Sequence, residues 1–323
     1  MFDYSHTAKS TNLRHVLGKL ATVMCVCALL SLCLSTSYAD TNKVLLLNSD
    51  NSVNKFQLAQ TAFESSLTED FVVVEKNVKE LSRKSLRALF NQHQPDAIYT
   101  IGSQAYEVSK LASKEIPIVF SSILNWHRLG GEKTSFGVVN EPPSAMIFGM
   151  INYVFPKVKR IGVLYSPEYN AELMTTAEVS AQDFNLSLHT KSVKRPRQVA
   201  ARLEEMLEKV DAFWLIADPI VMADQGMVRS IVRIADKMNK PIISFSKGLT
   251  EFGAVLSVES DDATMGRQAA AIVSDLVSQR QSEVAPQVQE PIGSHVSLNL
   301  KKVKRLDLSY NKQALSSIDY IVR

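Results

Sequence analysis

The sequence DAIYTI at residues 96–101 recurs as DAFWLI at residues 211–216, and PIVFS at residues 117–121 recurs as PIISFS at residues 241–246. The first pair is offset by 115 residues (211 − 96) and the second by 124 (241 − 117), so both fall at nearly the same period. Self-similarity at a fixed period indicates two units of one architecture. Any two buried strands resemble each other to some degree, but this alternative does not explain why Asp-Ala and Pro-Ile recur in the same order.

Short β-branched runs alternate with amphipathic stretches on either side of these repeats, which is typical of βαβ units around a parallel sheet. We therefore predict an α/β fold of two similar doubly wound parallel-sheet lobes. The predicted strands are residues 44–48, 71–74, 97–101, 116–120, 160–165, 186–190, 212–217, 241–245 and 253–258, with a last apolar run at 295–298. The predicted helices are residues 53–67, 82–92, 171–184, 196–210, 222–239 and 261–279.

The N-terminus has the plan of a secretory signal peptide. Three basic side chains within residues 9–19 precede an apolar run at 20–34, and Ser-Tyr-Ala at 37–39 offers small residues before a cleavage site. We predict that residues 1–39 are removed after Ala39 and that the protein is periplasmic. Two alternatives remain open: retention of the segment as a membrane anchor, and lipidation at Cys33.

Removal of residues 1–39 changes the chemistry of the chain. All three cysteines of the sequence lie in that segment, so the remainder has no disulfide and no cysteine nucleophile. The segment also takes three of the 36 Lys and Arg residues and one of the 33 Asp and Glu residues, which leaves a net charge near +1. A near-neutral chain has no basic field for a nucleic acid partner.

No catalytic or cofactor motif is present. The sequence lacks a phosphate-binding glycine loop, a His-Glu-x-x-His pair and a Gly-x-Ser-x-Gly elbow. The histidines after the N-terminal segment are far apart and have no carboxylate at metal-ligand spacing; they are His93, His127, His189 and His295. We therefore expect no enzyme activity, no catalytic residue, no metal and no cofactor.

Polar loops follow the predicted strands in both halves. Ligands of open parallel sheets bind outside the carboxyl ends of the strands, so lobes that face each other would bring these loops to one cleft. Short hydroxyl and amide side chains at strand-to-helix junctions favour a carboxylate, although Ser103 has a competing role as a helix cap. The loop residues of interest are Ser49, Asp50, Ser103, Gln104, Ser121, Ser122, Tyr165 and Asp218.

Three aromatic residues are expected near the mouth of this cleft. Trp126, Tyr165 and Phe245 all follow predicted strand ends, where they could stack on a flat or apolar ligand. Trp214 lies inside a predicted strand between Phe213 and Leu215 and is expected in the core.

These features resemble the type I periplasmic binding proteins, and specifically the ABC transporter substrate-binding family that includes binders of aromatic amino acids such as tryptophan. The similar segments run in the same order over essentially the whole chain after residue 39; they are residues 116–120, 160–165 with Asn170, 211–218, 240–242, 253–257 and 261–270. The chain departs from the family pattern in the cleft, at residues 49–52, Asn125-Trp126 and Pro219.

The resemblance implies how the chain divides. An N-terminal lobe of residues 40–122 plus 260–292 and a C-terminal lobe of 141–257 plus 300–323 would be joined by a multi-strand hinge. Its crossovers would be residues 123–140, 257–261 and 293–299, and the second of them contains Glu259, a further candidate ligand contact.

The resemblance also implies the function: a monomeric periplasmic protein that closes two lobes on a small, amino-acid-like ligand, with aromatic amino acids among the candidates, and delivers it to an ABC permease. Ser103, Gln104, Ser121 and Ser122 would hold a carboxylate or amide of the ligand from one lobe. Tyr165 and Asn170 would engage the ligand from the other lobe, and Asp218 would pair with its ammonium group. The alternatives are a ligand sensor that partners a membrane signalling receptor and, third, an enzyme.

Overall fold

The computed structural model describes residues 41–111, 115–130, 134–278 and 287–323. The predicted signal peptide and its cleavage point lie outside these residues. Within the described part of the chain, no helix has the length and apolar character needed to cross a membrane.

Strands and helices alternate along most of the described chain. The strands are β1 (Asn42–Asn48), β2 (Phe71–Asn77), β3 (Ala97–Ile101), β4 (Ile118–Ile123), β5 (Ser135–Val139), β6 (Arg160–Tyr165), β7 (Ser187–Ser192), β8 (Ala212–Trp214), β9 (Ile242–Ser244), β10 (Leu256–Ser260), β11 (Val288–Gln289), β12 (Ser294–Asn299) and β13 (Tyr320–Val322). The helices are α1 (Asn54–Ser66), α2 (Arg83–His93), α3 (Ser103–Ser109), α4 (Ser144–Val154), α5 (Pro167–Asp183), α6 (Val199–Leu207), α7 (Gln225–Lys237), α8 (Lys247–Phe252), α9 (Asp262–Val277) and α10 (Leu300–Arg305).

The strands form two sheets with the same core order. The first sheet runs β11-β5-β4-β3-β1-β2, and its strand pairs are parallel. The second runs β13-β12-β10-β9-β8-β6-β7, with β12 antiparallel to β10. In both sheets the first strand of the lobe lies between the second and the third, as the repeat predicts. The predicted α/β fold with two doubly wound lobes is confirmed.

Each sheet is buried on both faces. Alternate residues of β1 enter different cores: Val44 and Leu46 pack in one, while Leu45 and Leu47 pack in the other. Successive side chains of a strand point to opposite faces, so a strand covered by helices on both sides must be apolar throughout. This explains why β1 and β3 read as continuous apolar runs.

Helix α9 carries the chain back from the second sheet to the first lobe. It packs against α1, where Gly266 approaches the backbone of Ala59; a Cβ at residue 266 would stand 2.9 Å from the Ala59 carbonyl carbon. The Asp261 side chain caps the helix by accepting hydrogen bonds from the N–H groups of Ala263 and Thr264.

The three crossovers between the lobes are bonded side by side. The hydroxyl of Ser260 donates to the carbonyl of Asn140 at 3.0 Å, and the N–H of Asp261 donates to the carbonyl of Gly293 at 3.0 Å. Connected in this way, the three segments form one hinge.

Strand β5 was missed by the sequence reading. Strand β5 belongs to the first sheet, so the chain leaves that lobe only after Val139, and the segment 123–140 is not a crossover throughout. Likewise 257–260 lies within β10, and 294–299 forms β12 of the second sheet. The short run around β5 has a glycine at its centre, Gly137, which weakened its strand signal.

Candidate functional site

The loops at the carboxyl ends of the two sheets face each other. The carboxamide of Asn125, in the loop after β4, donates to the carbonyl of Ala217, in the loop after β8, at 2.6 Å. The guanidinium of Arg128 lies 5.0 Å from the ring centre of Tyr169, at the start of α5. The cleft expected from the sequence is therefore bounded by these loops.

Ser49 and Asp50, at the end of β1, are engaged within the first lobe. The buried Ser49 hydroxyl donates to the carbonyl of Ile101 at 2.7 Å and accepts from the N–H of Ala105 at 3.0 Å. Asp50 bonds to Lys79 at 2.8 Å and to Ser52, and these contacts lower the pKa of Asp50 to about 2. Ser49 thus links α3 to the end of β1, while Asp50 holds the loop after β1 through its bonds to Ser52 and Lys79.

Ser103 and Gln104 are exposed at the start of α3. The expected helix cap at Ser103 is wrong: the cap position is Gly102, which has a φ of 83° and makes no side-chain bond. A Cβ at residue 102 would stand 2.7 Å from the Ser49 hydroxyl oxygen, so only glycine fits this turn. Ser103 therefore does not cap α3, and neither its side chain nor that of Gln104 is buried.

Ser121 and Ser122, at the end of β4, differ in what they contact. Ser121 is fully buried, and its hydroxyl bonds to that of Tyr99 at 2.7 Å; burial raises the pKa of this tyrosine. Ser122 adopts a left-handed φ of 59° and directs its hydroxyl to the carboxylate of Asp262 at 3.4 Å. The predicted contact of Ser121 with a ligand is thus replaced by a contact inside the first lobe.

Asp262 is a residue that the sequence reading passed over. Burial raises its pKa to about 6, against the opposing effects of Lys55 and the Ser122 hydroxyl. Glu259 and Asp261 add negative charge nearby and raise the pKa further. Glu259 itself accepts a hydrogen bond from the N–H of Lys247 at 3.0 Å. Asp262 therefore loses its proton near pH 6 and carries a negative charge above that pH.

Asp218 is the most fully bonded polar side chain of the second lobe. One carboxylate oxygen accepts from the N–H and hydroxyl of Ser166 and from the carboxamide of Asn170, at 2.6, 2.7 and 2.8 Å. The other accepts from the N–H groups of Ile220 and Val221, and the residue is 1% exposed. The predicted pairing of Asp218 with a ligand ammonium group is thus corrected, because five donors already saturate a carboxylate. Its role is to hold two loops together.

The aromatic residues divide between core and cleft. The partly buried ring of Trp126 stacks on that of Phe120 at 5.5 Å between centres, and its contact with a ligand stays a prediction. Tyr165 and Phe245 are half-buried at the ends of β6 and β9. Trp214 is 2% exposed and packs edge-on against Phe148, which confirms its expected place in the core.

The structure thus sorts the twelve candidate residues. Those with polar or aromatic surface open at the strand ends are Ser103, Gln104, Tyr165 and Phe245, while Asn170 and Glu259 use only part of their bonding capacity within the described residues. Arg128, Tyr169 and Asp262 were not recognised as site residues from the sequence, and Asn125 was noted only as a departure from the family pattern in the cleft. Their significance depends on which loops meet, and local sequence carries no signal for that.

Comparison with known proteins places this arrangement in a family. The model of the family described as ABC transporter substrate binding protein matches residues 64–321. A tyrosine-binding protein of Clostridioides difficile (strain R20291) is 21% identical over 252 residues, covering 74% of this chain and 70% of the relative.

Solved structures agree on the fold. An ABC domain from Streptococcus pneumonia in complex with L-Trp has a TM-score of 0.57 at 19% identity, covering 87% of this chain and 99% of that one. A ligand-free, open substrate-binding protein with adhesive properties from Clostridium difficile has a TM-score of 0.64 at 17% identity, covering 86% and 98%. With two type I lobes and a family match over most of its length, the chain belongs to the ABC transporter substrate-binding protein family.

Proposed function

We propose that this protein binds a free amino acid with an aromatic side chain between its lobes and delivers it to an ABC permease. The observation that carries the proposal is the meeting of the two polar loop sets across the cleft, at Asn125 and Ala217. Relatives named for tyrosine binding and for a complex with L-Trp support the ligand class. The family itself is one of substrate-binding proteins, not of catalysts.

The open polar groups suggest how the ligand is oriented. Ser103 and Gln104 offer hydroxyl and amide donors for the carboxylate from the first lobe. With Asp218 saturated, negative charge for the ligand ammonium group would come from Asp262 and Glu259. Tyr165 and Phe245 would stack on the aromatic ring.

A thermal-shift screen of ligand-stripped protein against the amino acids, sugars and purines tests the ligand class. A ligand that binds only the folded state at 100 times its Kd stabilises by roughly 2.7 kcal/mol, which is readily seen as a rise in Tm. Stabilisation by Tyr, Trp or Phe and not by sugars or purines is the expected result. Stabilisation by a sugar or purine alone would refute the proposed class, as would no response to any amino acid.

The site is tested with Gln104→Ala, matched by Gln182→Ala on the exposed surface of α5. Loss of one hydrogen bond to a charged carboxylate is expected to weaken binding about tenfold in the first variant. Unchanged affinity in both variants would remove Gln104 from the site.

Delivery and location need separate measurements. Capture from membranes by immobilised protein is expected to recover a permease in the presence of ligand; recovery of a signalling receptor instead would favour the sensor function.

N-terminal sequencing of exported protein is expected to begin at Asp40, whereas a retained segment or a lipidated Cys33 would reveal an anchored form. Light scattering of the same sample is expected to give the mass of a monomer.

A further inference from the structure

The two contacts that cross the cleft come from one short segment of the first lobe. Asn125 donates to the Ala217 carbonyl at 2.6 Å, and the Arg128 guanidinium lies over the Tyr169 ring at 5.0 Å. Both partners belong to the second lobe. The contacts join protein atoms only, so they form whenever the lobes reach this separation.

The segment is braced against its own lobe. Asn125 has a left-handed φ of 51°, and its N–H donates to the carboxylate of Glu141, in the segment by which the chain leaves the first lobe after β5. The carbonyl of Asn125 accepts from the N–H of Arg128 at 3.0 Å, which closes a helical turn over residues 126–129. Trp126, inside the turn, stacks on Phe120 of the first core. The backbone that carries Asn125 and Arg128 therefore moves with the first lobe as a rigid arm.

The surface that receives this arm is also fixed. Ala217 precedes Asp218, whose carboxylate binds Ser166 and Asn170 on either side of Tyr169 in sequence. The loop after β8 and the start of α5 are consequently tied to one another. A rigid arm meeting a rigid receiving surface makes contacts that are either both formed or both broken when the lobes rotate about the hinge.

We propose that residues 125–129 form a latch that holds the two lobes closed, with Asn125 and Arg128 as positioning residues for closure. This proposal depends on the proposed function in one respect: the lobes must separate to admit a ligand. The latch lowers the free energy of the closed state independently of the ligand, and so sets how often the cleft opens. Loss of the latch would speed ligand entry and shorten ligand residence.

The test measures lobe separation directly. Spin labels are placed at Asn54→Cys in α1 and Ala171→Cys in α5, two exposed positions near the ends of helices that begin at the cleft. The label sites stay unique when Cys25, Cys27 and Cys33 of the full chain are replaced by Ser, since the sequence has no other cysteine. Distances are recorded for protein without added ligand and for the same protein with L-Tyr.

Asn125→Gly keeps the left-handed backbone and removes the carboxamide, and Arg128→Ala removes the guanidinium. Together they are expected to raise the ratio of open to closed protein about tenfold, the effect of losing one hydrogen bond and one exposed cation–π contact. The matched control is Arg160→Ala, which breaks an arginine ion pair with Asp211 inside the second lobe. Its distance distribution is expected to equal that of the parent.

Identical distributions in the parent, the double variant and the control would overturn the latch. A shift of the same size in Arg160→Ala would also overturn it, because the effect would then not be specific to the cleft. A shift confined to the double variant, with no response of any variant to L-Tyr, would keep the latch and exclude L-Tyr as the ligand.

Discussion

Asp96 and Asp211 make the same contact in the two lobes. Asp96 accepts a hydrogen bond from the N–H of Lys43 at 2.7 Å, and Asp211 accepts from the N–H groups of Lys159 and Arg160 at 3.0 and 2.8 Å. Each carboxylate thereby fastens the start of the neighbouring first strand of its lobe. The repeated Asp-Ala pair in the sequence marks this shared structural function.

Asp211→Ala is expected to lower the free energy of unfolding by about 1–3 kcal/mol, because two backbone donors and the Arg160 side chain lose their partner. Urea denaturation measures the change. Asp275→Ala, at an exposed position of α9, is the control and should stay within about 0.5 kcal/mol of the parent. Equal values for the two variants would contradict the shared role of the repeated aspartates.

Gly266→Ala is expected to destabilise the protein by about 2 kcal/mol or more, since its Cβ would collide with the backbone of Ala59 in α1. The control, Gly248→Ala in α8, has only the Ser246 hydroxyl oxygen within reach, at 3.7 Å. It should be neutral or stabilising because alanine favours a helix over glycine. Thermal unfolding of both variants checks the prediction, and a neutral Gly266→Ala would show that the two helices separate freely.

Asp218→Asn is expected to destabilise the ligand-free protein by about 2–4 kcal/mol, because an amide NH₂ would face donors from Ser166 or the backbone of Ile220 and Val221. Asp224→Asn, which retains an oxygen to cap α7, should change stability much less. Urea denaturation without ligand separates the two possible roles of Asp218. Unchanged stability together with lost binding would restore the ammonium-pairing role predicted from the sequence.

Asp262 predicts a dependence of stability on pH. Its pKa is about 6 in the folded protein against an ordinary value of 3.8, so the folded state binds more protons between these values. Stability contributed by this group therefore falls as the pH rises from about 4 to about 6, and the penalty persists above that range. Asp262→Asn should be more stable than the parent at pH 8, on the order of 1 kcal/mol for this partly solvent-open side chain, and equal to it near pH 3.5. Equal stability of the two proteins at pH 8 would show that burial does not penalise the carboxylate.

Much of the fold was readable from local sequence. The strands at 97–101 and 160–165 have the bounds that the apolar runs predict, and the repeat correctly gave two lobes with one strand order. Strand β5 escaped because its run is short and contains Gly137, so tertiary pairing with β4 stabilises it where local propensity does not.

The candidate site was less readable. Sequence position correctly put polar groups after the strands, but Ser49, Asp50, Ser121 and Asp218 find partners inside their own lobes. Four of those partners, Ile101, Lys79, Tyr99 and Ser166, are between 22 and 52 residues away along the chain. The sequence shows that a buried polar residue needs a hydrogen-bonding partner, but it does not show which residue that partner is.

By itself, the sequence determined that this chain folds as two related α/β lobes, because apolar periodicity and an internal repeat are local properties of the polypeptide. Only the tertiary structure decided which polar groups face the cleft and which are hydrogen-bonded to other residues of the protein. Asn125 and Ala217 are 92 residues apart and meet only because both sheets present their carboxyl ends to the same space. That proximity follows from the packing of the whole molecule. The same packing determines which hydrogen-bonding groups at the site remain available to a ligand.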